Sequence, residues 1–72
     1  MGVSTPYLRA IEANLNAMSA ILTEALQDVE NGLKAAERGQ QNGAVGSIIP
    51  TGHLLTQAGV LLQAITILHR HG

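Results

Sequence analysis

The sequence contains no cysteine, no phenylalanine and no tryptophan, and Tyr7 is its only aromatic residue. Without cysteine, no disulfide can brace the fold and no thiolate can hold zinc. The core must instead be built from Leu, Ile, Val, Met and Ala. A chain of 72 residues with such a core lies near the lower limit of independent stability. We therefore expect a single domain, 1–72, that gains burial by associating with further copies of itself.

Charge of either sign is also scarce. Four Lys and Arg residues stand against five Asp and Glu residues, which gives a net charge of −1. So weak a field argues against nucleic acid, or an anionic membrane, as a partner held by bulk electrostatics. The N-terminal residues show no basic segment followed by an apolar run. The apolar stretch 54–68 is too short, and too often interrupted by Gln, to span a bilayer. We expect a cytoplasmic protein.

A seven-residue repeat runs through the first half of the chain. Ser4 or Thr5 can cap a helix whose first turn contains Pro6. Intervals of three and four alternate between the apolar residues, which are Leu8, Ile11, Leu15, Met18, Leu22, Ala25 and Val29. The next position of the repeat is Gly32, beside Leu33, and the repeat resumes at Ala36. This spacing predicts one long, coiled-coil-like helix over 6–38 that continues through Asn31-Gly32.

The last third of the chain is apolar over most of its circumference. Thr51 can cap a second helix, which we predict over 51–70. One apolar row has 4-3-4-3 spacing and consists of Leu54, Ala58, Leu61, Ile65 and Leu68. Further apolar residues lie on adjacent faces, Leu55 and Leu62 on one and Val60 and Ile67 on another. One partner helix within the same chain cannot cover such a surface.

Between the two helices lies the glycine-rich stretch RGQQNGAVGSIIPTGH, which predicts an irregular loop over 39–50. A helix returning from this loop would end near Met18 and leave the start of helix one uncovered. The sequence thus predicts an all-α helical hairpin that assembles into an antiparallel four-helix bundle or a larger helical oligomer. Gln63 is expected to be a buried amide that fixes the register. The predicted interface residues are Leu8, Ile11, Leu15, Met18, Leu55, Leu62 and Gln63.

Few residues suit catalysis or metal binding. His69 and His71 are two residues apart and so point to different sides of a helix, while His53 lies a helix length away. We interpret the closing His-Arg-His as a cationic helix end and not as a metal site. Glu24 and Asp28 form an acidic pair on what we interpret as a solvated face. We expect no enzymatic activity and no cofactor.

Two functions stay open. The favoured one is a small non-enzymatic regulator, adaptor or assembly factor that contacts itself and another protein. The alternative is an oligomer that binds or sequesters a small anionic, nucleotide-like ligand, because glycine-rich backbone leading into a helix N-terminus can hold an anion. That site would use Arg38, Ser47, Thr51 and His53 beside a neighbouring chain. The stretch matches neither the Walker pattern nor a dinucleotide-binding GxGxxG.

Overall fold

A computed structural model describes residues 6–71 of the protein as three helices arranged in an antiparallel hairpin. Helix α1 spans Pro6–Glu37, α2 spans Gln41–Ile48 and α3 spans Thr51–His71. No strand occurs within this range. The predictions of an all-α chain and of a helical hairpin are confirmed. The predicted caps Ser4 and Thr5 lie outside the described residues.

The hairpin turns back over three residues only. Gly39 adopts a left-handed conformation with φ 75°, which glycine reaches without steric cost. The N–H of Gly39 donates to the carbonyl of Ala36, and the N–H of Gln40 donates to that of Ala35, both at 2.9 Å. This pair of bonds is the Schellman motif, which satisfies the last carbonyls of a helix. Gly39 is therefore the residue that ends α1.

The prediction of an irregular loop over 39–50 is wrong for Gln41–Ile48, which forms α2. Glycine and asparagine disfavour a helix here, so α2 depends on packing against α1. A Cβ built on Gly32 would lie 3.1 Å from the carbonyl oxygen of Ala44 and 3.2 Å from Cγ2 of Ile48. Because Gly32 has no side chain, α2 can approach α1 this closely. Helix α1 continues through Asn31-Gly32, as predicted.

Helices α2 and α3 together form one arm, Gln41–His71, interrupted at Ile49 and Pro50. Proline has no N–H to continue the helical ladder. Beyond it, the bond from the N–H of Leu54 to the carbonyl of Pro50 is 3.5 Å long. The helical hydrogen-bond pattern is therefore broken at the proline, and α3 is set as a separate helix.

The two arms match in length. The hydroxyl of Thr51 reaches the carboxylate of Asp28, so these residues lie at the same level of the hairpin. Helix α3 ends 20 residues beyond Thr51, and α1 begins 22 residues before Asp28, so the two ends coincide to within about 3 Å. The expectation that the start of helix one projects uncovered is wrong, because α2 lengthens the returning arm.

The seam between α1 and α3 is the core of the hairpin. The predicted α3 row faces α1: Leu54 and Ala58 are buried, and the rest of the row, Leu61, Ile65 and Leu68, is half-buried. On α1 the seam residues are Ile11, Asn14, Met18, Ile21, Ala25, Asp28, Gly32 and Ala35. Ala25, at 6% exposure, is the one apolar side chain of α1 that is buried.

This core is thin for the size of the chain. The molecule measures 55 × 19 × 11 Å, with a radius of gyration of 16.7 Å, against about 11 Å for a compact domain of this length. Its accessible surface is 5324 Å², whereas a compact monomer of the same mass exposes about 4,250 Å². A hairpin two helices thick thus leaves about 1,000 Å² more surface exposed than a compact monomer of its mass would.

Candidate interaction surface

A row of exposed leucines runs along one side of α1 and is matched by a shorter row on α3. The α1 residues repeat every seven positions and are 45–54% exposed, and those of α3 are each 55% exposed. We call these six residues the leucine face: Leu8, Leu15, Leu22, Val29, Leu55 and Leu62.

The two rows lie on the same side of the hairpin. Leu15 and Leu22 directly follow the seam residues Asn14 and Ile21, and each lies three positions before the next seam residue. Leu55 stands in the same relation to the α3 seam, because it directly follows Leu54. Both rows therefore occupy the equivalent flanking heptad position, and in two antiparallel helices these equivalent positions face the same side.

The leucine face continues toward the hairpin turn. A groove of about 310 Å³ crosses from α1 to α2 and begins at Val29, one end of the leucine row; its other lining residues are Gly32, Leu33, Ala36, Ala44, Val45 and Ile48. On the outer side of α1, Leu26 and Leu33 are 58% and 59% exposed and widen the apolar surface. Apolar side chains thus extend along nearly the whole hairpin.

The opposite side of the hairpin is less apolar. There α1 presents small or polar residues, including Ala10, Ala17 and Glu24. Helix α3 adds Val60 and Ile67, both exposed. The two sides are therefore unequal, and the leucine face is the larger continuous apolar surface.

The predicted interface residues fall into three groups. Leu8 and Leu15 of α1, together with Leu55 and Leu62 of α3, lie on the leucine face. The other α1 residues in the prediction, Ile11 and Met18, are half-buried in the seam within one chain. Gln63 is exposed on the side of α3 remote from α1. Within the single chain it is not the buried amide that the sequence suggests.

The four residues of the predicted anion site are spread along the returning arm. Arg38 lies in the turn before the arm, and His53 lies in α3, 12 residues or about 18 Å beyond the start of the arm at Gln41. The hydroxyl of Ser47 donates to the carbonyl of Gly43 at 2.8 Å, and that of Thr51 donates to Asp28 Oδ2 at 3.4 Å. The irregular backbone that the anion hypothesis invokes is replaced by α2.

Asp28 was missed as a structural residue by the sequence interpretation. It is half-buried and faces the start of α3, whereas Glu24 is exposed. The assignment of both carboxylates to a solvated face is therefore wrong for Asp28. The signal in the sequence was its seven-residue spacing from Ile21 and Ala35, both of which lie in the seam. Among residues 6–71 no group of three or more His, Asp or Glu side chains could hold a metal ion.

The returning arm has one further property. Over Gln41–His71, 31 residues, it is long and apolar enough to cross a membrane by length and composition, with a mean hydropathy of 1.3 in its most apolar window. The apolar stretch 54–68 alone is too short to span a bilayer. The additional length comes from α2, in residues that the sequence predicts to be a loop. A mostly buried core helix of a protein outside membranes can pass the same test, whereas only 6% of this window is buried in the hairpin. The cytoplasmic location stays a prediction.

Comparison with protein-family models, with curated proteins and with solved structures finds no match to this chain. The function has to be inferred from the leucine face itself.

Proposed function

We propose that this chain is a small, non-enzymatic interaction protein that associates with copies of itself through the leucine face. The supporting observation is the surface of 5324 Å², about 1,000 Å² above that of a compact monomer of this mass. A protein–protein interface of ordinary size buries about 800 Å² on each partner. One such interface would therefore bring the chain close to the exposure of a compact protein.

A second copy suits this surface better than an unrelated globular partner does. The leucine face is long and narrow, on a molecule 55 Å in length, and its α1 residues recur every seven positions. A surface that repeats in this way packs best against helices with the same repeat. Two hairpins placed face to face form a four-helix bundle, whose shared core replaces the thin seam of one chain.

This assembly would act as a regulator, an adaptor or an assembly factor. The polar sides of α1 and the hairpin turns stay outside the bundle and are available to a further protein. The charged side chains of α1 are dispersed over its exposed surface, with Asp28 as the half-buried exception. This dispersed arrangement supports binding through surface contacts and offers no convergent polar groups for catalysis.

Measurement of the solution mass by sedimentation tests the proposal. At micromolar concentration the wild-type protein should have a solution mass at least twice the 7.5 kDa of one chain. A double variant, Leu15→Gln with Leu62→Gln, should shift to the monomer, because each amide would be desolvated in the interface. The matched control is Val60→Gln with Ile67→Gln, which removes two exposed apolar side chains from outside the leucine face and should keep the wild-type mass.

Three results would contradict the proposal. The first is a folded wild-type monomer at micromolar concentration. The second is loss of association in the control pair but not in the leucine pair. The third concerns lipid: if neutral phosphatidylcholine vesicles bind wild-type protein, and the leucine pair abolishes that binding, then the leucine face meets a membrane instead of a second copy.

A further inference from the structure

The leucine face can meet a second copy in two symmetric ways. In one, the open ends of the two hairpins, where α1 begins and α3 ends, lie together. In the other, the long axes are reversed, and each open end lies over the turn of the other copy. We propose the reversed arrangement, in which α1 packs on α1 and α3 packs on α3. This inference rests on the proposed function, since it requires association through the leucine face.

Charge disfavours the arrangement with the open ends together. Arg9 of α1 and Arg70 of α3 are each 19 residues from the Asp28–Thr51 level, so they lie at one height near the open end. With the ends together, α1 of one copy lies on α3 of the other, and Arg9 meets Arg70 of the second copy. The symmetry creates this like-charge pair twice.

The reversed arrangement replaces repulsion with attraction. When two α1 helices run antiparallel with their centres at Leu22, Arg9 lies level with residue 35 of the second copy, within one helical turn of its Glu37, Lys34 and Arg38. Glu37 is four heptads from Arg9 and projects from the same side of α1, whereas Lys34 and Arg38 project from other sides.

The acidic group near the open end is Glu12, which lines the same groove as Leu8 and Leu15. With the open ends together, Glu12 lies level with residue 67 of the second copy, within one turn of Arg70, and partly offsets the repulsion there. The reversed arrangement removes the two arginine–arginine pairs and adds two arginine–glutamate pairs. At the rim of an interface, such a difference decides orientation more than affinity.

The α1 row is also self-complementary under this reversal. Its members are spaced by seven residues on either side of Leu22. Leu22 therefore meets Leu22 of the second copy, and Leu15 meets Val29. Leu8 then lies against Ala36 near each end. Every large side chain of the row is covered without a shift in register.

Two glycines on α3 give independent support. Gly52 and Gly59 lie on the helix surface next to Leu55 and Leu62, at intervals of three or four residues. A Cβ built on either glycine meets nothing within 4 Å in the chain, although glycine weakens a helix relative to alanine. In the reversed pair, centred at the level of Leu22, Leu55 lies against Gly59 of the second copy and Leu62 against Gly52. The glycines would then admit the leucines.

Cross-linking distinguishes the two arrangements, since the chain has no cysteine of its own. A single variant Thr23→Cys keeps every charged side chain. Treated with a short bismaleimide, it should give a 23–23 cross-link, because residue 23 lies level with residue 21 of the second copy. A link between two copies of one cysteine can form only between chains. The comparison variant, Thr23→Cys with Thr56→Cys, uses two positions that are each five residues from the Asp28–Thr51 level, and it should give no intermolecular 23–56 link.

A second measurement uses the glycines. Gly59→Ala should weaken self-association at least tenfold while keeping or raising the helical circular dichroism signal. Gly46→Ala, which is also open within the chain but lies in α2, should leave the association constant unchanged. Unaltered association in Gly59→Ala would overturn the glycine contact.

The outcomes separate this inference from the proposed function. Intermolecular cross-links at 23–56 without 23–23, or at neither pair, in a protein that still dimerises would overturn the reversed arrangement and leave association through the leucine face intact. A dimer that survives the Leu15→Gln and Leu62→Gln changes would overturn both.

Discussion

The backbone of Gly32 in α1 lies against the backbone of Ala44 in α2, so that a Cβ on Gly32 would come within 3.1 Å of the Ala44 carbonyl oxygen. This contact holds a helix of eight residues, which is too short to be stable alone in water. The position that interrupts the apolar repeat of α1 is thus the position that admits α2.

Gly32 and Gly46 should respond oppositely to alanine. At Gly46 a Cβ meets nothing within 4 Å, so Gly46→Ala should stabilise the fold by about 0.5–1 kcal/mol. At Gly32 the same gain in helix propensity is offset by the close Ala44 and Ile48 contacts. We expect Gly32→Ala to be no more stable than wild type, and Gly32→Val to be about 1–3 kcal/mol less stable. Urea unfolding at one fixed protein concentration measures all three. Stabilisation by Gly32→Ala equal to that by Gly46→Ala would show that α2 is not packed there.

Asp28 links the middle of α1 to the first turn of α3. Its carboxylate accepts the Thr51 hydroxyl at 3.4 Å, a long bond, and lies near the positive end of the α3 dipole. Asp28→Ala should therefore destabilise the fold by about 0.5–1.5 kcal/mol. Glu24→Ala, one turn earlier and exposed, should stay within about 0.5 kcal/mol of wild type. A double-mutant cycle with Thr51→Val isolates the hydrogen bond, and equal effects at positions 24 and 28 would refute the link.

Pro50 should be replaceable with a gain in helix content. Asp28 is level with Thr51, and a Cβ built on Gly32 would lie 3.7 Å from Cβ of Ser47. The arm therefore keeps the same register against α1 on both sides of the proline. Pro50→Ala restores an N–H that can donate within the arm. We expect a higher far-ultraviolet helical signal and a raised thermal midpoint. A lowered midpoint would mean that the interruption is needed to seat α2 on α1.

An anion screen tests the alternative function. A ligand present at 100 times its dissociation constant adds about 2.7 kcal/mol of stability. Because α2 replaces the irregular glycine-rich backbone, we expect no rise in thermal midpoint with millimolar inorganic phosphate or ATP. A rise that disappears in Arg38→Ala and in His53→Ala, with the solution mass unchanged, would favour ligand sequestration over the adaptor function.

The apolar row of α3 was predictable from the sequence, but the seam of α1 was only partly so. The sequence suggests a single α1 stripe that contains both Leu15 and Met18. In the structure Met18 lies in the seam, whereas Leu15 is on the leucine face. The α1 side of the seam consists of two rows of residues, one that contains Met18 and one that contains Asn14 and Asp28. Because Asn14 and Asp28 are polar, the spacing of apolar residues does not reveal the second row. Which of two adjacent rows faces the partner helix depends on packing, which periodicity alone does not specify.

Helix α2 was not predictable from local preference. Its sequence, QNGAVGSI, combines glycine and asparagine, which favour turns. Its helical state depends on a contact with Gly32, a residue nine positions before Gln41. Tertiary contact overrides propensity here, as it commonly does for short helices. The predicted anion site requires an irregular loop over 39–50. Because α2 replaces most of that loop, the four residues of the site lie apart.

The equal length of the two arms bears on how such a chain can vary. Removing one heptad from α1 together with the level heptad from α3 would keep the same cross-section, since both rows recur every seven residues. Removing a heptad from one arm alone would leave the leucines at the end of the other arm without a neighbouring helix. Paired insertions and deletions could therefore produce longer or shorter relatives that share one cross-section.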